Sequence, residues 1–134
     1  MRINTLRTLT AALACSALLA GPATMAAEPP HDYVNNCAIC HGMGGKGDGN
    51  LAVNLSPKPA DLTQISKNNG GKFPYWRIRQ SIDGRVAEGV NIRGHGPKDM
   101  PIWGKVFYYD SAESETVAKA RMLNILDYII AIQQ

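Results

Sequence analysis

The chain has 134 residues, with 14 Lys/Arg against 11 Asp/Glu and a formal net charge of +3. That length allows at most one domain. So small an excess of positive charge excludes a polybasic nucleic-acid surface.

Residues 1–27 read as a secretory signal. Arg2 and Arg7 lead into an apolar run from Leu9 to Ala20, and small residues follow before a polar start. The run is short for a membrane-spanning helix, which needs about 20 residues. Cleavage after Ala26 or Ala27 is therefore expected, leaving residues 28–134 as one domain with no stable membrane insertion. Cys15 lies inside the apolar run and lacks the leucine usual three residues before a lipoprotein cysteine, so it is an ordinary signal cysteine. Losing Arg2 and Arg7 leaves twelve basic residues against eleven acidic, unevenly spread: residues 42–109 hold ten Lys/Arg against five Asp/Glu.

The first mature element is a short helix through "PHDYVNNCAICH", with Pro30 suited to its start and Gly42 to its end. In it Cys37 and Cys40 are three apart and His41 is four from Cys37, so all three project from about one face of one turn. That spacing suits two thioether bonds to the edge of a haem and an imidazole reaching its iron; CxxCH is the attachment signature of haem c. Attachment in an oxidising, extracytoplasmic compartment agrees with the signal sequence. A structural zinc site would want four ligands, yet only His31 and His95 remain and there is no second CxxC. A thioredoxin-like pair should lie near a βαβ pattern, and no segment alternates with period two. A plain disulfide would not require the histidine.

A long Gly/Pro-rich stretch, residues 42–72, precedes a second helix in "FPYWRIRQSID". Here Pro74 sits in the first turn, Ile78 and Ile82 lie one turn apart, and Gly84 supplies the stop. A second such stretch, residues 84–110, precedes the third and clearest helix, where Val117, Ala118, Met122, Ile125, Leu126, Ile129 and Ile130 recur at three- and four-residue steps. Asp110 with Glu113, or Ser114, is placed to cap it. Loops this long are uncommon in a compact domain unless they are functional. Three helices make a thin core, which one large apolar group in the middle would complete.

A low-spin haem needs a ligand opposite His41. Met1 and Met25 leave with the signal, Met43 is two residues from His41, and Met122 lies on the apolar stripe of the last helix. Met100, in "GHGPKDMPIWG" and 59 residues beyond His41, is the better candidate; His95 is its rival. Pro97 and Pro101 restrict the backbone on either side of Met100.

These residues resemble the bacterial mono-haem class I c-type cytochromes. The resemblance spans nearly all of the mature chain: "CAICHG", "GKGDG", "SPKPADL", "YWRIRQSIDGR", "HGPKDMPIWGKVF" and the terminal amphipathic helix with Tyr128. The haem motif and "MPIWG", in that order and spacing, are its specific parts. It implies an all-α, small cytochrome c-like fold of three main helices, with long Gly/Pro-rich loops wrapped around one covalent haem. In that fold Cys37 and Cys40 would be the thioether anchors, His41 the proximal ligand and Met100 the distal one. The carbonyl of Pro57 or Pro59 would hold the His41 ring, Trp103 and Trp76 would pack near the macrocycle, and Arg79, Arg85 or Arg93 would meet a propionate.

The function expected is one-electron transfer in the periplasm, with no catalytic residue and no enzymatic activity. Its partners would be redox proteins, donor and acceptor. Lys46, Lys58, Lys98 and Lys105 flank the ligand-bearing stretches and suit a partner with an acidic docking face. Two alternatives stand beside this: the haem subunit of a larger dehydrogenase or oxidase complex, and a ligand-binding haem protein whose Met100 dissociates.

Overall fold

A computed structural model of the chain describes residues 27–85 and 100–134. The expected signal sequence up to residue 26, Arg93, His95 and Lys98 lie outside the described residues. Within them the protein is all-α, with no strand. In chain order the helices are α1 (His31–Asn36), α2 (Ala38–His41), α3 (Tyr75–Asp83), α4 (Trp103–Asp110) and α5 (Glu115–Ala131). Three 3-10 turns, Ala52–Asn54, Leu62–Gln64 and Lys67–Asn69, punctuate the long connection between α2 and α3.

The first expected helix is two. Cys37, still in the right-handed helical region but at a φ of −110°, separates α1 from α2. Just before it, the Asn36 side-chain amide donates to the Asp32 carbonyl at 2.9 Å, so a side chain competes for an oxygen the helix ladder would use. α3 follows the sequence closely: Pro74 precedes its first turn and Gly84, at φ 64°, ends it. Ser114 caps α5, its hydroxyl oxygen accepting from the Val117 N–H at 3.4 Å.

α4 is a correction to the three-helix reading, which left residues 103–110 in a loop. Eight residues with Gly104 in the first turn carry too little periodicity to stand out. A Cβ at Gly104 would meet the Asp83 carboxylate and the Arg85 guanidinium, so the glycine lets α4 lie against the end of α3 without those side-chain ends having to shift.

α5 is the centre of the packing and touches α1, α3 and α4. Its buried face carries Ala118, Met122, Ile125, Leu126, Tyr128 and Ile129. Val117 and Ile130, expected on that face, are 47% and 38% exposed. At 100° per residue they sit roughly 110° from its middle, beyond the edge of the stripe. Tyr33 of α1 and Phe107 of α4 are fully buried against this face. Arg121 of α5 then joins three helices at once. It donates to both Asp32 oxygens, at 2.6 and 3.0 Å, and its guanidinium lies 4.3 Å from the centroid of the Phe107 ring. Among the described residues no helix is long and apolar enough to cross a membrane.

Candidate functional site

The CxxCH turn is held by main-chain hydrogen bonds on its open end. Helix C-termini leave carbonyls without partners, and α2, one turn long, has nothing but such carbonyls. The loop that follows supplies every donor. Gly42 N–H bonds to Ala38 O at 2.8 Å, Leu51 to Ile39 at 2.9 Å, Gly49 to Cys40 at 3.2 Å and Gly47 to His41 at 2.8 Å. Gly49 has to be glycine for this, because a Cβ would fall on the main chain of Ala38, Ile39 and Cys40. Tyr33 braces the same turn from below, its hydroxyl donating to the Gly42 carbonyl at 2.8 Å. Tyr128, its ring 4.6 Å from that of Tyr33, donates to the Met43 carbonyl at 2.6 Å.

Below α2 lies a cavity of about 400 Å³. Packing voids in protein interiors are smaller than that, and cofactor sites of about 300–1,000 Å³ bracket it. Cys37, Cys40, His41 and Met100 all line it. The rest of the lining is largely apolar, with Ile78 and Ile82 from α3, Trp103 from α4, and Ile125 and Ile129 from α5. Both cysteines carry free thiols. Burial first, then Asp32 and Cys40, push the Cys37 thiol up to about 12. A protonated, desolvated thiol is the opposite of the low-pKa thiolate that a dithiol redox centre uses.

His41 donates through Nδ1 to the Ala60 carbonyl at 3.0 Å. A carbonyl only accepts, so the proton sits on Nδ1 and the Nε2 lone pair remains available to a metal. Burial lowers the His41 pKa while the bond to Ala60 opposes it; the balance keeps the ring neutral, as a ligand must be. The orienting carbonyl is thus Ala60's, which corrects the expectation of Pro57 or Pro59. Both prolines line the cavity, but the Pro59 carbonyl packs on Gly47. The trace is set next door, where Leu62 N–H bonds to Gly45 O at 2.6 Å and Asp61 accepts from the Thr63 N–H and hydroxyl at 2.9 and 2.6 Å.

The remaining expectations divide. Trp103 lines the cavity and stacks on Phe107, centroids 5.7 Å apart. Trp76 does not; it is 68% exposed on the outside of α3. Arg79 lies over the Trp76 ring at 5.6 Å, not at the cavity. Arg85 is committed to Asp83 at 2.6 Å and to Glu115, and those carboxylates raise its pKa further. Those pairings hold Arg85 between the end of α3 and the start of α5, and it does not line the cavity. The polar side chains that do line the cavity are Asn35, Asn36 and Ser81. Of the groups the sequence reading passed over, Tyr33 left a signal, lying four residues before Cys37 and so on the same helical face. The Ala60 carbonyl left none, since a main-chain acceptor has no side-chain signature.

Comparisons with protein-family models, curated proteins and solved structures find no match to the chain.

Proposed function

We propose that the chain is an electron carrier of the class I c-type cytochrome kind, holding one haem covalently in this cavity. The observation that supports the reading is the donor set: two free thiols, a neutral imidazole and a thioether line one apolar cavity, with His41 and Met100 brought there from 59 residues apart. Cys37 and Cys40 would hold the group by thioethers, and His41 Nε2 and Met100 Sδ would bind its iron. Bound there, haem supplies a one-electron couple between Fe(III) and Fe(II).

The chain's own residues set how that couple behaves. The Ala60 carbonyl fixes the His41 ring and makes its free nitrogen more basic. The Met100 thioether would favour the ferrous state and raise the potential. Ile78, Ile82, Ile125 and Ile129 would keep water away and add to the same effect. With His41 and Met100 both holding the iron, no open site would remain for a substrate, and the chain would change only its redox state. Lys46, Lys58 and Lys105 are exposed and suit brief encounters with redox proteins that present acidic surfaces, in the periplasm to which the signal sequence points.

The test is the haem itself. The secreted protein should carry one haem that acidified organic solvent does not extract. A red chain that loses its haem to that solvent, or a colourless metal-binding chain, refutes the reading.

A further inference from the structure

The outer face of α3 and the turn before it form a cationic surface around an exposed tryptophan. Ile78 and Ile82 turn α3 toward the cavity; Trp76, roughly 160° round the helix from Ile78, points the other way and is 68% exposed. Its ring is held in place by Arg79, 5.6 Å from its centroid, and by Tyr75, which meets it edge-on at 5.2 Å. Arg77 donates to Asn69 Oδ1 at 3.1 Å, and the Asn69 amide donates to the Lys72 carbonyl at 2.7 Å. Those two bonds tie the Lys67–Asn69 turn to the start of the helix.

Charge on this surface has one sign. Between Asp61 and Asp83 the chain carries Lys67, Lys72, Arg77 and Arg79 and no acidic residue. Among the described residues none of the four forms an ion pair. Leaving a large ring in water forgoes the stabilisation of burying it, and four unneutralised cations beside it repel one another. Neither feature serves the cavity, whose α3 lining is Ile78, Ser81 and Ile82.

We propose that this face docks an acidic protein partner, with Trp76 as the apolar anchor and Lys67, Lys72, Arg77 and Arg79 as the cationic rim. Trp and Arg dominate the energetic centres of protein interfaces. A ring already braced by Arg79 and Tyr75 loses little freedom on binding. An anionic membrane would be met by a helix face with several apolar residues, and the outer face of α3 carries only Trp76, flanked by Arg79 and Gln80. Single-stranded nucleic acid is met by a series of stacking aromatics along a basic groove, and here there is one. Because the surface faces away from the cavity, a partner can stay bound while the cavity side remains free for other encounters. The proposal does not depend on the haem reading.

The experiment places the photocrosslinker p-benzoylphenylalanine at Gln80, exposed and one turn from Trp76, in the full secreted chain in cells. Illumination should yield one dominant protein adduct, joined through a segment rich in Asp and Glu. Trp76→Ala, and separately Arg79→Glu, should each cut the adduct at least about tenfold, as expected for losing an interface anchor; Lys72→Glu should cut it less. Thermal melting of each variant, unchanged from the parent, shows that the surface and not the fold was altered. A lipid or nucleic-acid adduct, a scatter of unrelated proteins, no adduct, or an adduct indifferent to Trp76→Ala and Arg79→Glu overturns the proposal. Covalent haem is read on the same sample, so its absence beside an intact adduct would refute the haem reading alone.

Discussion

His41 keeps Nε2 available because the Ala60 carbonyl takes its Nδ1–H, and Met100 lines the same cavity from a different part of the chain. If these two hold an iron between them, each substitution has its own signature. Met100→Ala should abolish the weak long-wavelength sulfur-to-ferric-iron band, lower the potential and open the iron to carbon monoxide or cyanide. His95→Ala should leave all three nearly unchanged. Visible spectroscopy of the two variants decides between them, and exchanged behaviours would make His95 the ligand. Gly49 bears on the site through sterics instead. A methyl group there meets the main chain of Ala38, Ile39 and Cys40, which cannot yield as a side-chain end can. Gly49→Ala should cost about 1–3 kcal/mol by overpacking, seen as a lower midpoint in urea unfolding of the purified protein. An unchanged midpoint would mean that the loop donors to α2 can move away.

At the scale of elements, the Asp32–Arg121 pair decides how α1 sits on the rest. Its two hydrogen bonds, at 2.6 and 3.0 Å, join the first helix to the last across 89 residues of chain. Arg121 also covers the Phe107 ring of α4. An exposed ion pair contributes about 0–1 kcal/mol, and breaking a buried one costs about 3–5 kcal/mol. This pair is about four-fifths buried on both sides, at 24% and 17% exposure. Asp32→Ala should therefore fall between, at about 1–3 kcal/mol, with Arg121 left partly desolvated and unpaired. Denaturant unfolding checks it. The double variant with Arg121→Met should recover part of the loss, because no unpaired charge remains and the thioether side chain still covers Phe107. A double variant no better than Asp32→Ala would show that the helices are held by packing alone.

At the scale of the whole molecule, the described helices surround an apolar cavity of about 400 Å³. If a covalent haem completes that core, Cys37→Ser with Cys40→Ser should leave a chain that is largely unfolded or rapidly degraded. A cooperative thermal melt of that double variant would show that the helices close on themselves. Charge is also a property of the whole surface. Residues 42–109 carry ten Lys/Arg against five Asp/Glu, and steering by such a field weakens as the Debye length falls from ~30 Å at 0.01 M to ~8 Å at physiological ionic strength. The bimolecular electron-transfer rate with the native donor or acceptor should fall over that range, and Lys98→Glu with Lys105→Glu should slow it at low salt. A flat salt dependence would leave these lysines to solubility.

Local chemistry was legible in the sequence. The helix stop at Gly84, the Ser114 cap and the inward placement of Met122, Ile125, Leu126 and Ile129 all depend on residues within a turn or two of one another, and the CxxCH spacing puts three donors on one face for the same reason. What the tertiary structure decided depends on residues far apart in the chain. Gly104 weakens α4 as a local helix, yet α4 forms where it packs on α3 and α5. The His41 Nδ1–H donates to Ala60, not to either proline, because hydrogen bonds from Leu62 to Gly45 and from Thr63 to Asp61 set the path of the loop. Arg85 and Trp76, alike in sequence as candidates for the cavity, part company for the same kind of reason. The neighbouring Asp83 and the distant Glu115 claim Arg85, while Trp76 rides on the side of α3 that Ile78 and Ile82 turn outward by facing the cavity themselves. Periodicity says that a helix has two faces; only the packing of α3 on α4 and α5 says which one meets the core.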